Sequence, residues 1–472
     1  LIYLLTIIHM YISGNEVHSE SIFQSGVSDF SKVVKFKGFV DKSMLIFDIF
    51  SYRLAHITAP RLCGKSTNID MFRRFVEVPI DENGNRKEVT STENYKLFKE
   101  NHLLITQDEK FFNKHFGKFP VVFMDLEVLK NPGDFNTVVK NFEKIIQTLY
   151  AKNEFLLRNS TLFRKEQDKE SFRKYLDGSG SLKTSKELTA ALILLTKYLH
   201  RQFNKDVFLL IDNYDSHVLN LMFNKNPDAD QIITFIHDIF EKFAFDNDDY
   251  VFGTFVTGEL RASILKTTSD YHHFGFLQDN DFTKYYGLEL SEINSLVKNL
   301  VRDVDREKVT DTITSFYGNY GIVEQDIKIF SIYSVLSYLD NLHSSKDAKA
   351  YWCGQDYFEI FRKLFGLKTF SGVVDRLVSN KTVNFKVDKP FYKENIVTLS
   401  TALSAEEDKA DPKLLQMTFN LLYHLGFLSI TPDCIVVRNM IDAYVPNKEI
   451  HLTLLKILED ERIRRKEKRT NV

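Results

Sequence analysis

The stretch LAHITAPRLCGKS, residues 54–66, decides how this chain is read. Its first five residues, Leu54 to Thr58, tend to strand, and the loop that follows ends in Gly64-Lys65-Ser66-Thr67. A segment of helical period leaves the loop, with Ile69, Phe72, Phe75 and Val76 on one face. Strand, short loop and helix form the setting in which backbone N–H groups and the positive end of a helix receive phosphates. There Lys65 reaches the outer phosphates and Ser66 ligates Mg²⁺, while Pro60, Arg61, Leu62, Cys63, Gly64 and Thr67 shape the rest of the loop. Ala59 stands where GxxxxGK[ST] has its first glycine. A bare GK[ST] arises often by chance, so the loop needs a partner motif.

Residues 207–215, VFLLIDNYD, supply it. Five apolar residues followed by an acid read as a buried parallel strand that presents Asp212 at its C-terminal end. Beside a phosphate loop, such an acid holds Mg²⁺. The alternative is a core strand whose Asp caps the next helix.

The order of short motifs resembles the AAA-ATPase-like family of predicted ATPases. FVDKS at 39–43 and APRLCGKS at 59–66 stand where members carry a YVDKT-type stretch and RPRRFGKS. The likeness continues through HFGKFPVV at 115–122, LIDNYD at 210–215 against LIDEYD, TGELR at 257–261, FYGNY at 316–320 and YW at 351–352. It runs from about residue 30 to about residue 450. The resemblance implies a P-loop NTPase core, an α/β fold with a parallel sheet flanked by helices, which binds ATP with Mg²⁺. It implies Ser66 and Asp212 as metal-holding residues and Thr257 as a sensor of the γ-phosphate. Arg261 either faces the phosphates in cis or is a surface arginine on a loop.

Two departures from the family pattern bear on activity. The usual Asp-Glu pair is Asp212-Asn213, so an amide replaces the carboxylate that would polarise the attacking water. An amide orients water but is a very poor base. On a continuing strand Asp215 would share the face of Asn213, further out, as a substitute. Leu62-Cys63 replaces Arg-Phe and removes one cation. Nucleotide binding with weak or absent hydrolysis is therefore expected, and Asn213→Glu would raise turnover in an otherwise intact site. The second reading is a degenerate pseudo-ATPase, secreted, acting as a binding or effector protein.

With 472 residues, 43% hydrophobic and 27% charged, the chain can bury a large core in two or three domains. Nine prolines and 19 glycines argue against long disordered linkers. A formal net charge of −2 creates no global field toward nucleic acid or an anionic membrane. Three scattered cysteines fit neither a disulfide framework nor a zinc site. Residues 1–14, LIYLLTIIHMYISG, are too short for a membrane span and suit the apolar core of a secretory signal, a buried N-terminal element being the alternative. Secretion conflicts with the cytosolic style of cysteine usage, and the cytoplasm is the alternative compartment. Asn159-Ser160-Thr161 and Asn380-Lys381-Thr382 would accept glycans only if the chain is secreted.

The expected organisation is a leader over 1–19, a P-loop ATPase-like domain over 20–285, a helical domain over 286–405 and a helical, winged-helix-like segment over 406–472. Within it, residues 39–53 suggest a short strand then a helix. Strands are expected at 120–126 and 250–256, and helices at 134–157, 186–203 and 228–245. Asp125 is read as a helix cap rather than as a second acid at the nucleotide edge. His272-His273 is read as solvated in a polar loop. Two short strands are expected to flank Thr431-Pro432-Asp433, and the basic tail ERIRRKEKR reads as a solvated helix end. The expected partners are a nucleotide and a protein client of unknown identity, with no strong case for nucleic acid.

Overall fold

The computed structural model describes residues 21–470, except 160, 181, 246–248, 263–270, 277–279, 323–324, 343, 346, 353–354, 388–390, 392, 405–411, 432–433 and 435. The apolar leader, Ser160 of the first glycan triplet and Pro432-Asp433 lie outside the described residues.

Five parallel strands make the central sheet: β1 (Leu54–Thr58), β2 (Val121–Asp125), β3 (Val207–Asp212), β4 (Val251–Gly258) and β5 (Tyr271–Gly275), in the order β2-β3-β4-β1-β5. This is a P-loop-like order. β1 and β3 are buried along their whole length, as apolar runs covered on both faces require. On one face the helix Lys65–Val76 packs through Ile69, Phe72 and Phe75, and the Phe72 ring meets Phe208 and Phe255 edge-on at 5.2 and 5.6 Å. The opposite face carries Phe135–Lys152, Ser185–Phe203 and Ala229–Phe240. Ser185–Phe203 begins in a reciprocal Thr184–Glu187 capping box, which fixes its first turn.

Beyond the sheet the chain is mainly helical, with a hairpin of β6 (Tyr320–Ile322) and β7 (Gln325–Ile329). A three-stranded antiparallel sheet pairs β8 (Val383–Lys386) with β10 (Met440–Tyr444), and β10 with β9 (Ser429–Ile430). Among the described residues no helix is long and apolar enough to cross a membrane.

Several local expectations change. Residues 39–53 hold no strand; the helix Leu45–Ile49 follows a turn. The strand after β9 starts at Met440, later than expected, because Arg438 and Asn439 adopt φ of 50° and 65° and turn the chain first. His272 and His273 belong to β5 and pair with Ala55 and His56 of β1. The His273 ring meets the Thr58 hydroxyl at 2.8 Å, and burial holds its pKa well below the ordinary value. The basic tail forms the last turns of the 23-residue helix Lys448–Thr470.

Candidate functional site

The C-terminal ends of β1 to β4 open into a cavity of about 950 Å³, where open parallel sheets place their ligands. The phosphate-loop segment forms one wall. Leu62 and Gly64 both have positive φ, 62° and 81°, which curls the loop before Lys65 begins its helix. A Cβ on Gly64 would meet nothing within 4 Å, so the glycine is required by its backbone angle and not by space. Lys65 is 7% exposed, and its ammonium donates to Ala59 O at 2.8 Å and Pro60 O at 2.7 Å. Gly64, Lys65, Ser66 and Thr67 line the cavity, with Arg61 and Leu62. Pro60 and Cys63 are buried behind them.

Asp212 ends β3 just beneath the cavity and is 2% exposed. Burial raises its pKa, while hydrogen bonds from the Ser66 and Thr257 hydroxyls and the nearby Lys65 charge oppose that rise. Its Oδ1 also accepts from Asn213 N at 3.0 Å. Hydroxyl and carboxylate oxygens thus converge where the loop meets the third strand, a hard donor set that suits Mg²⁺. Thr257 is fully buried and turns its hydroxyl to Asp212. It does not line the cavity, so its effect on a phosphate would pass through that carboxylate.

Three placements differ from expectation. Asn213 does not continue the strand. Its φ of 55° swings the chain aside, and its Nδ2 donates to Asp125 Oδ1 at 2.9 Å. Asp215 consequently leaves the face expected of it. Its carboxylate accepts from Glu259 N at 3.1 and 3.0 Å and from Leu260 N at 2.5 Å. Burial, reinforced by the Glu259 charge, pushes its pKa up to about 7. Asp215 therefore ties down the turn after β4 with both of its carboxylate oxygens. Arg261 sits 5.5 Å from the Tyr271 ring centre, beside the buried His56, and does not reach the cavity.

Residues from the helical part of the chain complete the site. Trp352 Nε1 donates to Arg61 O at 2.9 Å, and Gly426 packs against Pro60. Tyr357 donates its hydroxyl to Glu259 Oε2 at 2.6 Å, and Glu259 pairs with Arg61 at 3.6 Å. The Arg61 guanidinium lies 5.2 Å from the Tyr357 ring centre. Glu449 anchors this clasp from behind by accepting Tyr351 N and Trp352 N at 2.6 and 2.8 Å. Lys363 lines the cavity as a further cation. Aromatic residues following a YW pair were visible in sequence, but nothing local said that they fold onto a loop nearly three hundred residues earlier.

Sheet order, curled loop, buried lysine and the Ser66–Asp212 pairing together define a P-loop nucleotide-binding protein. A family model described as AAA-ATPase_like, Predicted AAA-ATPase, matches residues 24–267, and the chain belongs to that family. No curated protein gives a significant match.

Proposed function

We propose that the chain binds ATP with Mg²⁺ in this cavity, hydrolyses it at most weakly, and passes its nucleotide state to the helical C-terminal region. The observation that carries this is the buried Lys65 ammonium resting on loop carbonyls, beside a Ser66–Asp212–Thr257 chain of oxygens. Lys65 would exchange those carbonyls for the β- and γ-phosphate oxygens. Ser66 and Asp212 would hold Mg²⁺, which supplies charge neutralisation at the phosphates. Phe36, Ile332 and Leu336 form an apolar part of the cavity lining suited to the base. Secretion, suggested by the leader, stays a proposal alongside a cytoplasmic site.

Coupling to the C-terminal region rests on the clasp of Trp352 and Tyr357 on Arg61 and Glu259. Trp352 is the chain's one tryptophan, and its indole N–H is held by the phosphate loop. Titration with ATP–Mg²⁺ is expected to change its emission saturably, and removal of the metal with a chelator to weaken the response. A flat emission trace, together with bound nucleotide seen by calorimetry, would remove the coupling and leave the binding. Flat traces by both methods would remove the whole proposal.

A further inference from the structure

We propose that Asp125, one strand away from the position where the family keeps its acid, is the carboxylate that takes the proton of the attacking water during ATP hydrolysis. This rests on the nucleotide binding proposed above. β2 pairs with β3 so that Asp125 stands opposite Asp212, and Leu126 N donates to Asp212 O at 3.0 Å. Neighbouring strands lie about 4.8 Å apart, so the two acids share one end of the sheet. Asp125 lines the cavity.

Its Oδ1 accepts two hydrogen bonds, from Glu127 N at 3.0 Å and from Asn213 Nδ2 at 2.9 Å. The first closes a local turn ahead of the short 3₁₀ helix Glu127–Leu129, whose cap residue is Leu126. The second was not expected, and it follows from the positive φ of Asn213. Asn213 is thus a positioning residue that pins Asp125. Among the described residues no hydrogen bond to Oδ2 is found, which leaves that oxygen to face water.

The other carboxylates lining the cavity are engaged. Asp215 is spent on backbone N–H groups, and Glu259 on Arg61 and Tyr357. Glu127 pairs with Lys130 at 3.5 Å, and Glu359 pairs with Arg362.

In the step assigned, the water oxygen forms a bond to the γ-phosphorus while the bond from that phosphorus to the β,γ-bridging oxygen breaks. The electron pair of the broken bond leaves with ADP. The water proton passes to Asp125 Oδ2 and then to solvent, so the products are ADP and inorganic phosphate. Asn213→Glu alone would set a second carboxylate against Asp125, which disfavours ionisation of both. The gain in turnover expected of that variant from sequence is therefore replaced by a loss.

The test measures ATP–Mg²⁺ affinity by calorimetry, phosphate release in single turnover, and the nucleotide retained after gel filtration. Asp125→Asn keeps the shape and the acceptor oxygen, so the fold survives. Phosphate release is expected to fall by about 100-fold or more, the usual size of a general-base contribution. Affinity should change little, and the variant should retain ATP where wild type retains ADP. The exchange Asp125→Asn with Asn213→Glu should restore phosphate release above that of Asp125→Asn alone. Wild-type turnover by Asp125→Asn overturns the assignment, as does a wild type that binds ATP and never cleaves it. A wild type that binds no ATP overturns the nucleotide reading itself, and this assignment with it.

Discussion

Lys65→Ala is expected to abolish the heat of ATP–Mg²⁺ binding at concentrations that saturate the wild type. Lys65 is 7% exposed and its ammonium donates to two carbonyl oxygens, so the charge is already largely removed from water. Its desolvation is met inside the protein, and phosphate oxygens would replace neutral acceptors with charged ones. Truncating one partner of such a charge-assisted contact costs about 2–5 kcal/mol, and therefore at least roughly 30-fold in affinity. The fold should persist, because Trp352 and Gly426 hold the loop through backbone and apolar contacts independent of the ammonium. A far-ultraviolet spectrum like wild type together with a flat titration is the outcome expected. An unchanged titration would place the nucleotide elsewhere or nowhere.

Gly258→Ala should produce the largest loss of stability among single-carbon additions near the site. A Cβ there would lie 2.4 Å from Asp215 Oδ1 and 2.4 Å from Tyr214 Cε1. Neither neighbour can give way easily. Asp215 is held by the N–H groups of Glu259 and Leu260, and the fully buried Tyr214 accepts from Ala262 N at 2.8 Å. Overpacking of this kind costs about 1–3 kcal/mol, and each kcal/mol lowers the melting midpoint by about 2–4 °C in domains of this size. The turn that carries Glu259 would shift with it, loosening the contacts to Arg61 and Tyr357. A midpoint equal to wild type would mean that the Asp215 carboxylate moves without loss.

Much of the nucleotide core could be read from local pattern because its elements are local. The apolar run at 207–211 and the β-rich VFGTFV at 251–256 read as strands of a covered sheet, and Thr184 marks a helix start by its own capping side chain. The loop was legible from Gly64 to Thr67 only together with the acidic strand at 207–212. One misreading turned on a single backbone angle. Treating Asn213 as strand put Asp215 on the same face as Asn213, whereas its φ of 55° turns the chain there and brings its amide to Asp125. Asn is among the few residues that adopt this conformation readily, and that is the signal that could have been used. The clasp from Trp352 and Tyr357 was not legible, since long-range packing of aromatic side chains leaves no periodic mark. His273 was misjudged for a related reason: a polar doublet suggests loop, but β5 places it against Thr58.

The burial of Cys63 has a practical consequence. The thiol is 4% exposed, and desolvation pushes its pKa up to about 12 despite the pull of Lys65. Only the thiolate attacks an alkylating reagent, so this buried sulfur is a slow target while the loop stays folded, and the half-buried Cys434 is the more accessible of the two. Any iodoacetamide adduct at Cys63 accordingly dates a moment when the segment between Ala59 and Gly64 had come undone, giving a native chemical clock for that motion.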